Sequence, residues 1–240
     1  TFSVTADDGT QQVLEFDSGF LLQVPQTLAI QLPETGADTI TDTERFTVTN
    51  GIISKVFEFD RTGAVNGVNV AIGLLDATGQ PLGADELADA LIAAINGVTP
   101  SLGLSPSNLG SGRIHLGSTA ANTVSVALAP SLTISGLEGG LVDGDAFVLG
   151  DGSQDETFLF DADGSDTSTA STTVIAFSPG QTHEEIAENI ATAIAGEPLN
   201  LSPLHLGGGL VYVGGRTNHT LDTDPANGHL EQSGAPGAQT

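Results

Sequence analysis

Three stretches of the chain carry the same alternation of apolar and polar positions around a turn. Residues 46–60 read FTVTNGIISKVFEFD: an alternating strand, an Asn50-Gly51 pair, and a second alternating strand that ends on Phe57, Phe59 and Asp60. Residues 2–17 (FSVTADDGTQQVLEFD) and 147–161 (FVLGDGSQDETFLFD) repeat the pattern around Asp8-Gly9 and Asp151-Gly152. Period-two alternation on both sides of such a pair predicts a β-hairpin, with the pair at the tip supplying the positive φ that a two-residue turn demands.

Behind two of the hairpins the pattern continues in parallel. A strand is expected at 68–72 (VNVAI) and again at 173–177 (TVIAF). The period then changes: Leu87, Leu91 and Ile95 recur every four residues, as do Ile186, Ile190 and Ile194, which predicts one amphipathic helix in each copy. Thr182 with Glu185 three residues on reads as a capping box, and Asp85 and Glu86 place negative charge in the first turn of the other helix. Gly97 and Gly196 are expected to stop the two helices. Leu104-Ser105-Pro106 answers Leu201-Ser202-Pro203, and GRIHLG at 112–117 answers GLVYVG at 209–214. A helix with one apolar stripe buries it on a sheet face. The expected fold is therefore α+β and β-rich: tandem repeat domains, each a hairpin plus further strands with one amphipathic helix packed on the sheet.

Three segments follow from this register. Residues 45–142 and 143–240 read as complete repeats. Residues 1–44 read as a truncated one, which passes from its hairpin through 20–24 into VPQTLAIQLPETG (24–36), similar to LAPSLTISGLEGG (128–140), with no helix between. Such a unit cannot cover its own sheet and is expected to need a neighbour, as units of repeat arrays do. The N-terminus shows no initiator Met, basic segment or apolar signal core, and Thr1 falls one residue before a hairpin. The chain is thus expected to begin inside a longer or processed precursor.

Charge narrows the partners. Thirty acidic residues face Arg45, Lys55, Arg61, Arg113 and Arg216, for a net charge of −25. That field repels phosphate backbones and anionic lipid and attracts cations, so nucleic acid is excluded as a partner. No run of about 18 apolar residues exists, so no membrane span is expected. Cys, Met and Trp are absent, which rules out a disulfide framework and thiolate metal sites and leaves nothing easily oxidised. This suits an extracellular or cell-surface location; the acidity fits a high-salt habitat equally well.

Asp161, Asp163 and Asp166 stand at near-alternate positions around Gly164, an arrangement by which a loop wraps oxygen ligands around Ca2+. The other copy reads Asp60-Arg61-Thr62-Gly63, with an Arg where a ligand would stand. Asp222 and Asp224 open a second acidic stretch, weaker as a calcium loop because Pro225 breaks it and Ser233 occupies the twelfth position. In register, 222–228 falls on 124–130, a strand and turn. The five His residues form no ligand set. His115 alternates with Ile114 and Leu116 on a strand, and His183 opens a helix. His219 and Asp222 lack a G-x-S-x-G nucleophile elbow, so no catalytic residues and no enzymatic activity are expected. Asn200 and Asn218 open glycosylation sequons by pattern. Tyr212 is the single Tyr, and the Phe residues sit at alternating strand positions where core packing explains them.

The stretches at 57–60 (FEFD), 69–72 (NVAI), 85–96, 104–106 (LSP) and 112–117 (GRIHLG) resemble tandem β-rich repeats of very large secreted or surface, adhesin-like bacterial proteins. The resemblance implies an extracellular, non-enzymatic building unit. The expected function is a subunit of a filament, surface layer or adhesin stalk, assembling head to tail by sheet-edge contacts with copies of itself, with Ca2+ or other cations offsetting its charge. Two alternatives stay open in the sequence: a surface module recognising glycan or protein, and an accessory domain of a secreted hydrolase.

Overall fold

The computed structural model describes residues 2–5, 11–14, 19–117, 122–215, 218–226 and 228–236. The protein is β-rich, with two α-helices, four four-stranded sheets and one two-stranded pair among these residues. In chain order the elements are β1 (Phe2–Thr5), β2 (Gln11–Leu14), β3 (Phe20–Gln23), β4 (Ala29–Gln31), β5 (Arg45–Thr49), β6 (Ser54–Asp60), β7 (Val70–Gly73), α1 (Ala84–Asn96), β8 (Ser107–Asn108), β9 (Arg113–His115), β10 (Thr123–Leu128) and β11 (Thr133–Ser135). They continue with β12 (Ala146–Gly150), β13 (Asp155–Asp161), β14 (Thr172–Ala176), α2 (His183–Gly196), β15 (Leu204–Gly207), β16 (Leu210–Gly214), β17 (Thr220–Asp222) and β18 (Glu231–Gly234).

The two predicted hairpins at 46–60 and 147–161 are pinned by their phenylalanines. Phe46 faces Phe57 across β5 and β6, and Phe147 faces Phe158 across β12 and β13. Each pair stacks, with ring centroids 5.1 and 4.8 Å apart, and a third ring, Phe59 or Phe160, closes in at 6.1 Å. All six are fully buried. A register slip of one residue would turn every one of them to the opposite face, so the apolar pattern fixes the pairing.

The tips differ from the two-residue turn that the sequence suggests. β5 ends at Thr49 and β6 resumes at Ser54, leaving a four-residue loop. Gly51 alone takes the positive φ, +83°, while the Asn50 side chain accepts from the N–H groups of Ile52 and Ile53. Gly152 (+84°) and Asp151, which accepts from Ser153 and Gln154, build the other tip in the same way. The first residue of each pair thus works through its side chain, satisfying backbone donors that the strands cannot. The Asp8-Gly9 tip lies outside the described residues.

β7 and β14 run parallel to β6 and β13, and each joins the hairpin into one sheet: β10-β5-β6-β7 in one half, β17-β12-β13-β14 in the other. Each helix follows and buries its predicted stripe, Leu87, Leu91 and Ile95 in α1 and Ile186, Ile190 and Ile194 in α2. The Thr182–Glu185 capping box forms, whereas in α1 Glu86 accepts from Gly83 N–H and Gly83 has no side chain to reciprocate. Gly97 follows α1 with φ −79°, in ordinary right-handed space, and Gly196 is the last residue of α2, so neither stop uses the left-handed conformation.

The second sheet of each half draws on the N-terminal segment. Its orders are β11-β4-β9-β8 and β18-β3-β16-β15. β4 lies between β9 and β11, and β3 lies between β16 and β18, all antiparallel. The segment 1–44, expected as a truncated unit in need of a neighbour, places β4 in one of these sheets and β3 in the other. Leu28, Ile30 and Leu32 enter one core with residues up to 132, while Leu22 and Val24 enter the other, whose remaining members come from 141–230. β1 and β2 pair with each other. No helix among the described residues is long and apolar enough to cross a membrane.

The halves meet along β9. Ile114 and His115, on opposite faces of β9, and Leu116 just after it are all buried, so the strand is covered on both faces. A Cβ on Gly117 would lie 2.3 Å from the Ser105 carbonyl oxygen and 2.6 Å from that of Pro179, which shows how closely the two halves approach. Alternation alone would leave His115 facing water.

Candidate metal centre

The end of β13 and the turn before β12 bring three carboxylates together. One oxygen from each of Asp143, Asp161 and Asp163 lies within 4.8 Å of the others. Two oxygens bound to one Ca2+ at about 2.4 Å can be at most about 5 Å apart, and each pair of the three lies within that limit. Asp161 is buried while Asp143 and Asp163 are exposed.

The backbone sets this geometry. Asp161 Oδ1 accepts from Asp163 N–H (3.1 Å) and Gly164 N–H (2.7 Å), curling the chain back over the strand end. Asp143 Oδ1 accepts from Ala162 N–H at 2.8 Å, tying the two loops together. The Ser165 hydroxyl, and after it the Ser165 N–H, holds the Asp163 carboxyl below its usual range. Partial loss of water pushes Asp166 upward, with the charges of Asp161, Asp143 and Asp163 adding to it. Of the residues the sequence singles out, Asp161 and Asp163 stand in this trio and Asp166 beside it. Asp143 comes from 19 residues before Ala162 and is invisible to a loop motif.

The other half builds the same turn with fewer charges. Asp42 Oδ1 accepts from Arg61 N–H at 2.8 Å, and Asp60 Oδ1 accepts from Thr62 and Gly63 N–H at 2.9 and 2.8 Å. Burial opposes ionisation of Asp60, yet the N–H groups of Thr62, Ala64 and Gly63 outweigh it and hold the carboxyl low. With Asp60 in the place of Asp161, Thr62 stands for Asp163 and Val65 for Asp166. Arg61 thus corresponds to Ala162 and not to a ligand position, and its guanidinium turns away to donate to the Ala37 carbonyl at 2.7 Å.

Asp222 and Asp224 do not join a comparable group among the described residues; Asp222 Oδ1 accepts from Asp224 N–H at 2.9 Å in a local turn. The strand register also places Asp222 one residue away from its sequence alignment. Asp222 faces Val148 as Ser125 faces Thr47, and Leu221 is buried like its neighbours in the core. The acidic side chain therefore points outward as Ser125 does.

Several other buried or half-buried titratable groups hold local structure together. His219 Nε2 bonds the Leu199 carbonyl at 2.9 Å. Buried Glu58 accepts from the Asn66 backbone and side chain and from Asn69, bracing the short crossover between β6 and β7. Glu44 ties Thr41 N–H to Ser131, and in the other half buried Asp145 ties Val142 N–H to His229 Nδ1 at 2.7 Å. Burial raises the Glu156 carboxyl against a bond from Thr173, with Glu197 adding repulsion. Comparison with known protein families, characterised proteins and solved structures finds no match for this chain.

Proposed function

We propose that the chain is a structural, non-enzymatic subunit of an extracellular filament, surface layer or adhesin stalk, built from a duplicated β-rich unit and assembling head to tail with copies of itself. The observation that carries this is the open ends of its sheets. β15 and β18, the two edges of one sheet, are exposed at every residue, and Leu204 and Leu206 on β15 are each more than half exposed. An edge of that kind is a template for an added strand. The matching order of elements in the two halves and the repetition of sequence support a modular building unit, as does the resemblance to repeats of large surface proteins. A head-to-tail contact that does not close on itself extends into a fibre.

A subunit of charge −25 repels its neighbours, and cations bound at or near Asp143, Asp161 and Asp163 lower that cost. Negative-stain electron microscopy of the purified chain with calcium, and again with chelator, tests the reading. Filaments that loosen in chelator support both assembly and calcium, and filaments indifferent to chelator support assembly alone. Isolated particles at high protein concentration in both conditions overturn the proposal.

A further inference from the structure

We propose that β3 is a donor strand exchanged between copies of this chain, so that residues 138–236 of one copy are completed by Phe20–Gln23 of the next. The inference rests on the head-to-tail reading above but places the contact inside the sheet, at β3, and not at its open edges β15 and β18.

The slot occupied by β3 is one that the second half cannot fill from its own sequence neighbourhood. In the first half the equivalent slot, between β9 and β11, takes β4, the strand just before its hairpin. The strand just before the second hairpin is β11, and it is already committed: Thr133, Ile134 and Ser135 pair with Gln31, Ile30 and Ala29 on the edge of the first half. The slot between β16 and β18 is therefore filled from outside, by a strand more than 100 residues away in the chain. β3 sits centrally there, pairing Leu22 with Val211 on one side and with Gln232 on the other. Leu22 and Val24 are buried to 0% and 2% exposure in a core otherwise drawn from 141–230.

The connectors make exchange cheap. The first half begins and ends at one point, where Thr27 bridges Leu137 and Leu137 N–H donates to the Gln26 carbonyl at 2.8 Å. β3 and the first half can thus move as one body relative to the second half, and the segment that must change course is the link through Glu138, Gly139 and Gly140. Two consecutive glycines accept the new backbone angles without a steric penalty. Every β3 hydrogen bond, and the close approach of Gly117 to Pro179, is reproduced when the second half belongs to another copy. What changes is the hinge and the entropy of association, which is why exchange of identical elements is a low-cost route to assembly. The tethered strand competes at an effective concentration on the order of millimolar, so exchange is favoured where the protein is crowded or concentrated.

The absence of Cys from the chain gives a background-free test. Gln23 and Glu231 are register partners across β3 and β18. Opposed residues in antiparallel strands have Cα atoms about 4.5–5.5 Å apart, within disulfide range. The full chain carrying Q23C and E231C is concentrated, oxidised and run without reductant. Donor exchange predicts a ladder of three or more covalently joined chains that collapses to one band on reduction. A single band with an internal bond overturns the proposal, as does the absence of any bond; a product that stops at the dimer overturns the open-ended form. A second variant, the same chain lacking Gly139 and Gly140, shortens the hinge and should shift the ladder to lower protein concentration, and an unchanged distribution counts against exchange. Filaments of the unmodified chain beside an internal bond only would retain assembly and discard β3 as its agent.

Discussion

Asp143, Asp161 and Asp163 show what a single substitution can separate. Their sister positions Asp42, Asp60 and Thr62 hold the same backbone turn with one carboxylate fewer, so the chain contains its own control. Asp143→Asn retains the amide oxygen that accepts from Ala162 N–H, and it removes one charge from the trio. We expect it to abolish most of any calcium-induced rise in melting temperature, while Asp42→Asn leaves that rise intact. Melting curves at matched ionic strength with calcium or magnesium check this, and equal loss in both variants would assign the effect to bulk charge. The loop carboxylates were legible because the spacing around Gly164 is local. Asp143 was not, because it reaches the site through a turn bond across 19 residues.

At the scale of elements the two helices make a matched pair with different N-termini. Thr182 accepts from Glu185 N–H and Glu185 accepts from Thr182 N–H, while Gly83 donates its N–H to Glu86 and has no side chain to accept in return. Thr182→Ala should cost about 1 kcal/mol, and Gly83→Ser should recover a few tenths. The serine fits, because a Cβ at Gly83 would meet only Glu86 Oε2, at 3.6 Å. Urea unfolding of each variant measures both, and equal stability of all three chains would show that the caps contribute nothing. Both hairpins and both helix stripes were legible, since each is a periodic pattern that one buried face imposes. The tips were read one step too simply: Asn50 and Asp151 act through side-chain acceptance, which the dipeptide alone does not distinguish from positive φ.

At the scale of the whole molecule the contact between halves carries a titration. His115 on β9 is buried against the second half, where Gly180, His183 and Glu185 face it, with Arg113 beside it and Thr27 bonded to its Nε2. Burial lowers the His115 pKa, with the charge of His183 adding to it; burial also lowers that of His183, against the opposing pull of Glu184, which His205 also contacts. A folded-state pKa below the unfolded value means that the unfolded chain binds more protons. The stability these groups contribute is therefore complete above about pH 6.5 and is lost as pH falls below it. His115→Gln should flatten that part of the profile, seen as a smaller difference in urea midpoint between pH 7.5 and 5.5 than in the unsubstituted chain. Parallel profiles would remove His115 from the acid response.

By itself the sequence determined the local pieces of this protein: alternating strands, two striped helices, the acidic turns and the strongly negative charge. Each follows from the chemistry of residues within a few positions of one another. Only the tertiary structure decided where Phe20–Gln23 and Ala29–Gln31 go, because both are short apolar strands and nothing in their own patterns says which half receives which. It also decided that His115 is covered on its second face and that Asp143 joins Asp161. Strand pairing over more than 100 residues is set by which edges are already taken, and that competition is a property of the assembled sheets.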